Sequence, residues 1–203
     1  MARTVKEKIK AKIRVAPRGK LFLLSDFEEL GEYPSIRKSL SELVKEGVLF
    51  RVVKGIYQKP KYNETLKLHL LPTIEQVAQV FARKNNWQIA PAKDLALNML
   101  AIDTQVPNVV HFISSGPTKK ITLDDGREIH FRHVTAREAS MDATSALVIE
   151  AFKQLGEKGV DDKVLSIVAS KLSPEQMKQL DRDSKYSRVW IKEKIQQMRE
   201  ASK

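Results

Sequence analysis

The chain has 203 residues, 42% of them hydrophobic, and a formal net charge of +11. That length suits one large domain or two small ones with real cores. The absence of cysteine excludes a disulfide framework, cysteine-ligated zinc and thiol catalysis.

In chain order, Val5, Ile9 and Ile13 form an i, i+4, i+8 stripe that predicts a helix over 4–15, with Thr4 as its N-cap. Pro17-Arg18-Gly19 breaks it. The apolar run Leu21-Phe22-Leu23-Leu24 is long enough only for a small strand or the approach to a helix. Ser25 then offers an N-cap, with Glu28 as its capping-box partner, for a short helix near 26–30 that stops at Gly31. A third helix is predicted over 34–46, with Pro34 in its first turn and Gly47 past its end. Ile36, Leu40, Leu43 and Val44 make its buried face, and Arg37, Lys38, Ser41 and Lys45 its other face. Segments 48–53 and 56–58 alternate as a hairpin about Lys54-Gly55.

The polar, extended-favouring stretch Pro60-Lys61-Tyr62-Asn63-Glu64 divides the chain into expected domains 1–62 and 63–203. Beyond it, Pro72 opens a helix to about Asn85 with Ile74, Val77, Ala78 and Phe81 on its apolar face. A strand over 87–90, a helix over 92–101 and a buried strand over 109–114 follow. Strands over 119–123 and 128–134 flank Asp124-Asp125-Gly126-Arg127, a strong hairpin signal. The rest is read as helical, over 137–155, 161–170, 174–181 and 186–201. The expected fold class is therefore α+β: an N-terminal winged helix-turn-helix, then a mixed α/β domain with a helical C-terminal part.

The charge is not spread evenly. Residues 1–62 hold 15 basic against 7 acidic residues, whereas 63–136 hold 8 against 7 and 137–203 hold 13 against 11. Basic charge concentrated in one small domain is the footprint of a phosphate binder. A helix fits the major groove, and side chains of its first turns reach base edges while a preceding helix braces the backbone. The DNA-contacting candidates are Ser35, Arg37, Lys38, Ser41 and Lys45 on the third helix, with Arg51 and Lys54 in the wing. Ser39 is a further short polar group on that helix.

Enzyme signatures are weak. His130 and His133 fall three apart on a predicted strand and so face opposite ways, and His111 in an apolar strand reads as a hydrogen-bonded core histidine. His69 has no partner motif. Asp124, Asp125 and Glu128 could suggest a metal-dependent nuclease, but Asp-Asp-Gly-Arg is also what a tight turn requires. No Walker loop, G-x-G-x-x-G, G-x-S-x-G or H-E-x-x-H is present, so no catalytic residue, metal or cofactor is expected. The charged start MARTVKEKIKAKIR lacks the apolar run of a signal peptide, and no stretch reaches the roughly 20 apolar residues of a membrane span. A soluble, cytoplasmic protein is expected.

The run PTIEQVAQVFARKNNWQIAPAKDLALNMLAIDTQVPNVVHFISSG, followed by KKITLDDGREIHFRHV, resembles the core of the AbiEi-like antitoxin family. The matching residues are Asn98, Leu100, Thr104, Gln105, Val106, Pro107 and Gly116, and Lys54-Gly55-Ile56-Tyr57 is similar to that family's wing signature. The resemblance covers roughly residues 5–135. Ala101 stands where the family usually has glycine, and Ala92-Lys93 replaces a small-residue pair. The resemblance implies a repressor that binds inverted repeats in double-stranded DNA upstream of its own operon, as a monomer or weak dimer. It also implies a C-terminal domain that counteracts a nucleotidyltransferase-like toxin in a type IV toxin–antitoxin, or abortive-infection, system. Lys178, Arg182, Lys185, Arg188 and Lys192 in the C-terminal helices read as a solvated face. The alternative is a protein- or RNA-interaction module that uses the winged helix as a scaffold without specific DNA readout.

Overall fold

The computed structural model describes residues 3–104 and 109–201. Gln105, Val106 and Pro107 of the quoted run lie outside the described residues. The fold is α+β, and its chain divides into two compact units, 1–85 with 122–127 and 86–121 with 128–203.

The first unit opens with α1, Val5–Val15, closed by the expected cap. Thr4 Oγ1 accepts from the Glu7 amide, and the Glu7 carboxylate accepts from the Thr4 amide at 2.8 Å. Strand β1, Leu21–Leu23, leads into a 3-10 helix over Leu24–Leu30. Here the expected Ser25 cap is corrected: the helix starts two residues earlier, with Leu23 in the cap position, and the Asp26 carboxylate accepts from the Leu23 amide at 2.8 Å. Helix α2, Tyr33–Lys45, carries Pro34 in its first turn. Strands β2, Phe50–Val53, and β3, Ile56–Gln58, follow, and the sheet order is β1-β3-β2, antiparallel throughout. Gly55 at the hairpin tip holds φ +85, a backbone that side chains resist. Ile9, Ile13, Phe27, Ile36, Leu40 and Leu43 are fully buried in one core. Each contributes about 1.5–3 kcal/mol by leaving water.

The expected boundary near residue 62 is not where the chain divides. Lys59 exchanges backbone hydrogen bonds with Gly19 and Lys20, and the Leu70 amide donates to the Lys61 carbonyl at 2.7 Å. The polar stretch is thus hydrogen-bonded into a ribbon, β4 (Tyr62–Asn63) with β5 (Leu68–His69). Helix α3, Ile74–Lys84, then packs on β1 and β3. It is capped by Thr73 and Gln76, and not at Pro72.

In the second unit, β6 (Ile89–Ala92), α4 (Asp94–Met99), β7 (Val109–Ser114), β8 (Lys119–Thr122) and β9 (Glu128–His133) precede five helices. The sheet order is β6-β7-β9-β8, with β6 antiparallel and β9 parallel to β7. Strand β6 lies two residues later than the sequence suggests, and α4 is shorter than its predicted span. The helices are α5 (Ala136–Ala139), α6 (Ala143–Leu155), α7 (Asp162–Ala169), α8 (Pro174–Ser184) and α9 (Val189–Ala201). The single helix expected over 137–155 is two, because Asp142 caps α6 through the Thr144 and Ser145 amides. Val148, Phe152, Val168, Leu180, Ile191 and Ile195 are central to the helical core. Gly116 is required by close approach, since a Cβ there would stand 2.1 Å from the Trp87 ring. Lys93 and Ala101 hold left-handed backbone, at φ +53 and +54. Among the described residues, no helix is long and apolar enough to cross a membrane.

Candidate functional site

Arg37, Ser41 and Lys45 recur every four residues, so α2 presents all three along one exposed face. The β2–β3 hairpin brings Arg51 and Lys54 to the same place. These five line a groove of about 980 Å³, floored by Val52, Tyr57 and Gln58. Ser35 and Lys38, though exposed, are not among its lining residues, because they sit about 100° per residue around the helix from that face. Ser39 is withdrawn as a contact candidate: it is buried, and its hydroxyl donates to the Ser35 carbonyl at 2.7 Å.

The groove's charge follows from where the acids of α2 go. Lys6 of α1 lies 2.9 Å from Glu42 and also pairs with Glu46, while Lys10 is 3.5 Å from Glu46. The Lys6 hydrogen bonds hold both carboxyls below their usual range and raise the Lys6 ammonium above its own. With those acids paired to α1, no ion pair among the described residues occupies Arg37, Lys45 or Lys54.

Sequence reasoning missed the acidic rim. The turn over 122–127 belongs to the first unit, and its Asp124 amide donates to the Val52 carbonyl at 2.9 Å. The Asp124 carboxylate meets Arg51 Nε at 2.7 Å, a bond that raises the guanidinium's already high pKa. Asp125 is held by the Arg127 guanidinium at 2.7 and 2.9 Å and lies below its ordinary pKa for that reason. Arg127 in turn donates to the Pro72 carbonyl at 3.0 Å. Asp124 and Asp125 therefore serve the turn and the groove wall. Among the described residues, no group of three His, Asp or Glu could hold a metal ion.

Two floor residues also escaped the sequence. Burial pushes the Tyr57 hydroxyl's pKa up, against the opposing pull of Arg51 and Arg37. Gln58 is 2% exposed, and its Oε1 has no hydrogen-bond partner. A buried amide oxygen left unmatched costs about 1–3 kcal/mol. Only the β alternation of 56–58 hinted that a polar side chain would turn inward.

Three of the four histidines, His111, His130 and His133, lie in the second unit. His111 and His130 are register neighbours with ring centroids 5.0 Å apart. His111 is half-buried rather than a core residue, and burial, Lys93 and His130 lower its pKa. His130 Nε2 lies 3.2 Å from Glu128, and His133 Nδ1 lies 2.9 Å from the Gly116 carbonyl on the other side.

Residues 8–180 match a family described as a family of unknown function, DUF6088, and the chain belongs to that family. No curated protein matches it. The crystal structure of the RV2827C protein from Mycobacterium tuberculosis is similar at a TM-score of 0.53 and 14% sequence identity, covering 100% of this chain and 79% of that one. That likeness is one of fold.

Proposed function

We propose that the chain is a cytoplasmic, non-enzymatic DNA-binding repressor whose first unit acts as a winged helix-turn-helix. In this reading it binds inverted repeats upstream of its own operon as a monomer or weak dimer. It is also the antitoxin of a type IV toxin–antitoxin system, opposing a nucleotidyltransferase-like toxin. The observation that carries the DNA reading is the convergence of Arg37, Ser41, Lys45, Arg51 and Lys54 on one groove. Helix α2 enters the major groove, where Arg37 addresses a guanine and discriminates by roughly 1–3 kcal/mol. Lys45, Arg51 and Lys54 meet phosphates on either side.

The antitoxin part rests on the sequence resemblance. Ala101 is in keeping with it: this residue holds φ +54 where the family pattern has glycine, the residue that takes such a backbone at least cost.

A second reading, a protein- or RNA-interaction module, draws support from the Asp124 carboxylate on Arg51, which opposes phosphate approach. Fluorescence anisotropy with the protein's own upstream DNA, at near-physiological salt and against scrambled competitor, separates the two. The repressor reading requires competitor-resistant binding. Weak binding, equal for both sequences and collapsing with salt, overturns it. Co-expression with an adjacent nucleotidyltransferase-like gene tests the antitoxin part: restored growth is expected, and unrelieved toxicity refutes it.

A further inference from the structure

Among the described residues, Glu150 of α6 is the one charged residue that is more than nine-tenths buried, at 4% exposure. A buried carboxylate is costly unless matched. Arg132 Nη2 and Lys153 Nζ each approach it to 2.9 Å, and Lys153 also reaches Glu138 at 3.2 Å. This network forms one side of an open cavity of about 420 Å³ within the second unit, lined elsewhere by Lys93, Gln154, Tyr186, Ser187 and Arg188.

The charges do not balance. Arg132 and Lys153 match the two carboxylates, whereas Lys93 and Arg188 form no ion pair among the described residues. Two positive charges are left over, the complement of a phosphate monoester at neutral pH, which carries about −1.5 to −2. Lys93 presents its ammonium from left-handed backbone at φ +53, a conformation that non-glycine residues rarely hold and that clusters at functional sites.

The cavity falls in the range of small-molecule pockets, about 300–1,000 Å³, and is far larger than a phosphate group needs. Tyr186 is 59% exposed, with the Arg137 guanidinium 4.4 Å from its ring centroid. The neighbouring Asp94 keeps its charge but is not among the cavity's lining residues, and Gln154 donates to it at 2.9 Å. We infer that this cavity binds a small-molecule phosphomonoester of mononucleotide size. Lys93 and Arg188 take the phosphate oxygens over the fixed Arg132–Glu150–Lys153 base, and the Tyr186 side of the cavity receives the organic part.

The test is calorimetric titration of the full chain with AMP as probe, and with adenosine and inorganic phosphate as comparisons. AMP should bind saturably at one site, phosphate should displace it, and adenosine should bind at least about tenfold more weakly, as expected when charge-assisted hydrogen bonds are lost. Lys93→Gly and Arg188→Gln should each weaken AMP about tenfold by the same loss. Lys93→Gly relieves the left-handed strain, so an unchanged or raised melting temperature shows that the variant is folded. Arg37→Ala, in the first unit, should leave AMP binding unchanged and so separates this cavity from the groove. No saturable heat with AMP, equal binding of adenosine, or wild-type affinity in both second-unit variants would overturn the inference.

Discussion

Arg51 and Asp124 stand 73 residues apart in the chain, yet their side chains meet at 2.7 Å on the wall of the basic groove. Asp124 is anchored there by its own amide on the Val52 carbonyl, so the acid is a fixed part of the first unit's surface. A phosphate reaching Arg51 must compete with it. Asp124→Ala should therefore tighten DNA binding by about two- to tenfold at low salt and steepen the salt dependence by about one phosphate contact. Anisotropy titrations across a salt series measure both; unchanged affinity would mean that Arg51 takes no part in binding.

Arg37 and Lys45 line the groove, whereas Lys38 does not. Arg37→Ala with Lys45→Ala should cost about 2–4 kcal/mol of DNA binding, while Lys38→Ala should cost under about 1. All three are exposed, so melting temperatures should stay within about 2 °C of the parent. Equal losses for the two variants would place the contact face elsewhere on α2.

Backbone conformation gives a pair of opposite outcomes in the second unit. Ala101→Gly relaxes a φ of +54 and should stabilise by about 1 kcal/mol, raising the melting temperature by roughly 2–4 °C. Gly116→Ala drives a methyl to 2.1 Å from the Trp87 ring and should destabilise by several degrees. Calorimetry of the two variants reads the difference directly.

Several carboxyls lie below their ordinary values: Asp125 through Arg127, and Glu42 and Glu46 through Lys6. Burial pushes Glu138 up, but Lys153 and the Thr135 cap outweigh it. A depressed folded pKa gives stability that is present above the unfolded value, here 3.8 for Asp and 4.5 for Glu, and is lost as pH falls through the folded value. The melting temperature should thus be nearly flat from about pH 7 to 8, ease below about pH 6.5 where the unfolded chain protonates His111 more readily, and decline further below about pH 4.5. A maximum near pH 4 would contradict these pairings.

Local patterns were legible wherever the signal was itself local. The Thr4–Glu7 box, the Lys54-Gly55 turn and the strand Val109–Ser114 stand where the residues place them, because cap, turn and apolar run are each set within a few positions. Ser25 misled because Asp26 beside it is an equally good acceptor and wins by geometry. The division near residue 62 misled because polar composition cannot reveal that Lys59 and Lys61 are hydrogen-bonded into the first unit. Of the seven site residues, five converge on the groove and Ser35 and Lys38 do not. The four-residue spacing of Arg37, Ser41 and Lys45 made that part readable. The approach of Asp124 to Arg51 and the unmatched Gln58 oxygen are tertiary facts without a sequence signature.

The most direct measurement is an amide NMR titration of the full chain with its upstream DNA. The account predicts shifts confined to α2 around Arg37–Lys45, to the hairpin at Arg51–Lys54, and to the turn at Asp124. Shifts centred instead on Lys10, Arg14 and Arg18, or a uniform drift that vanishes at moderate salt, would contradict it.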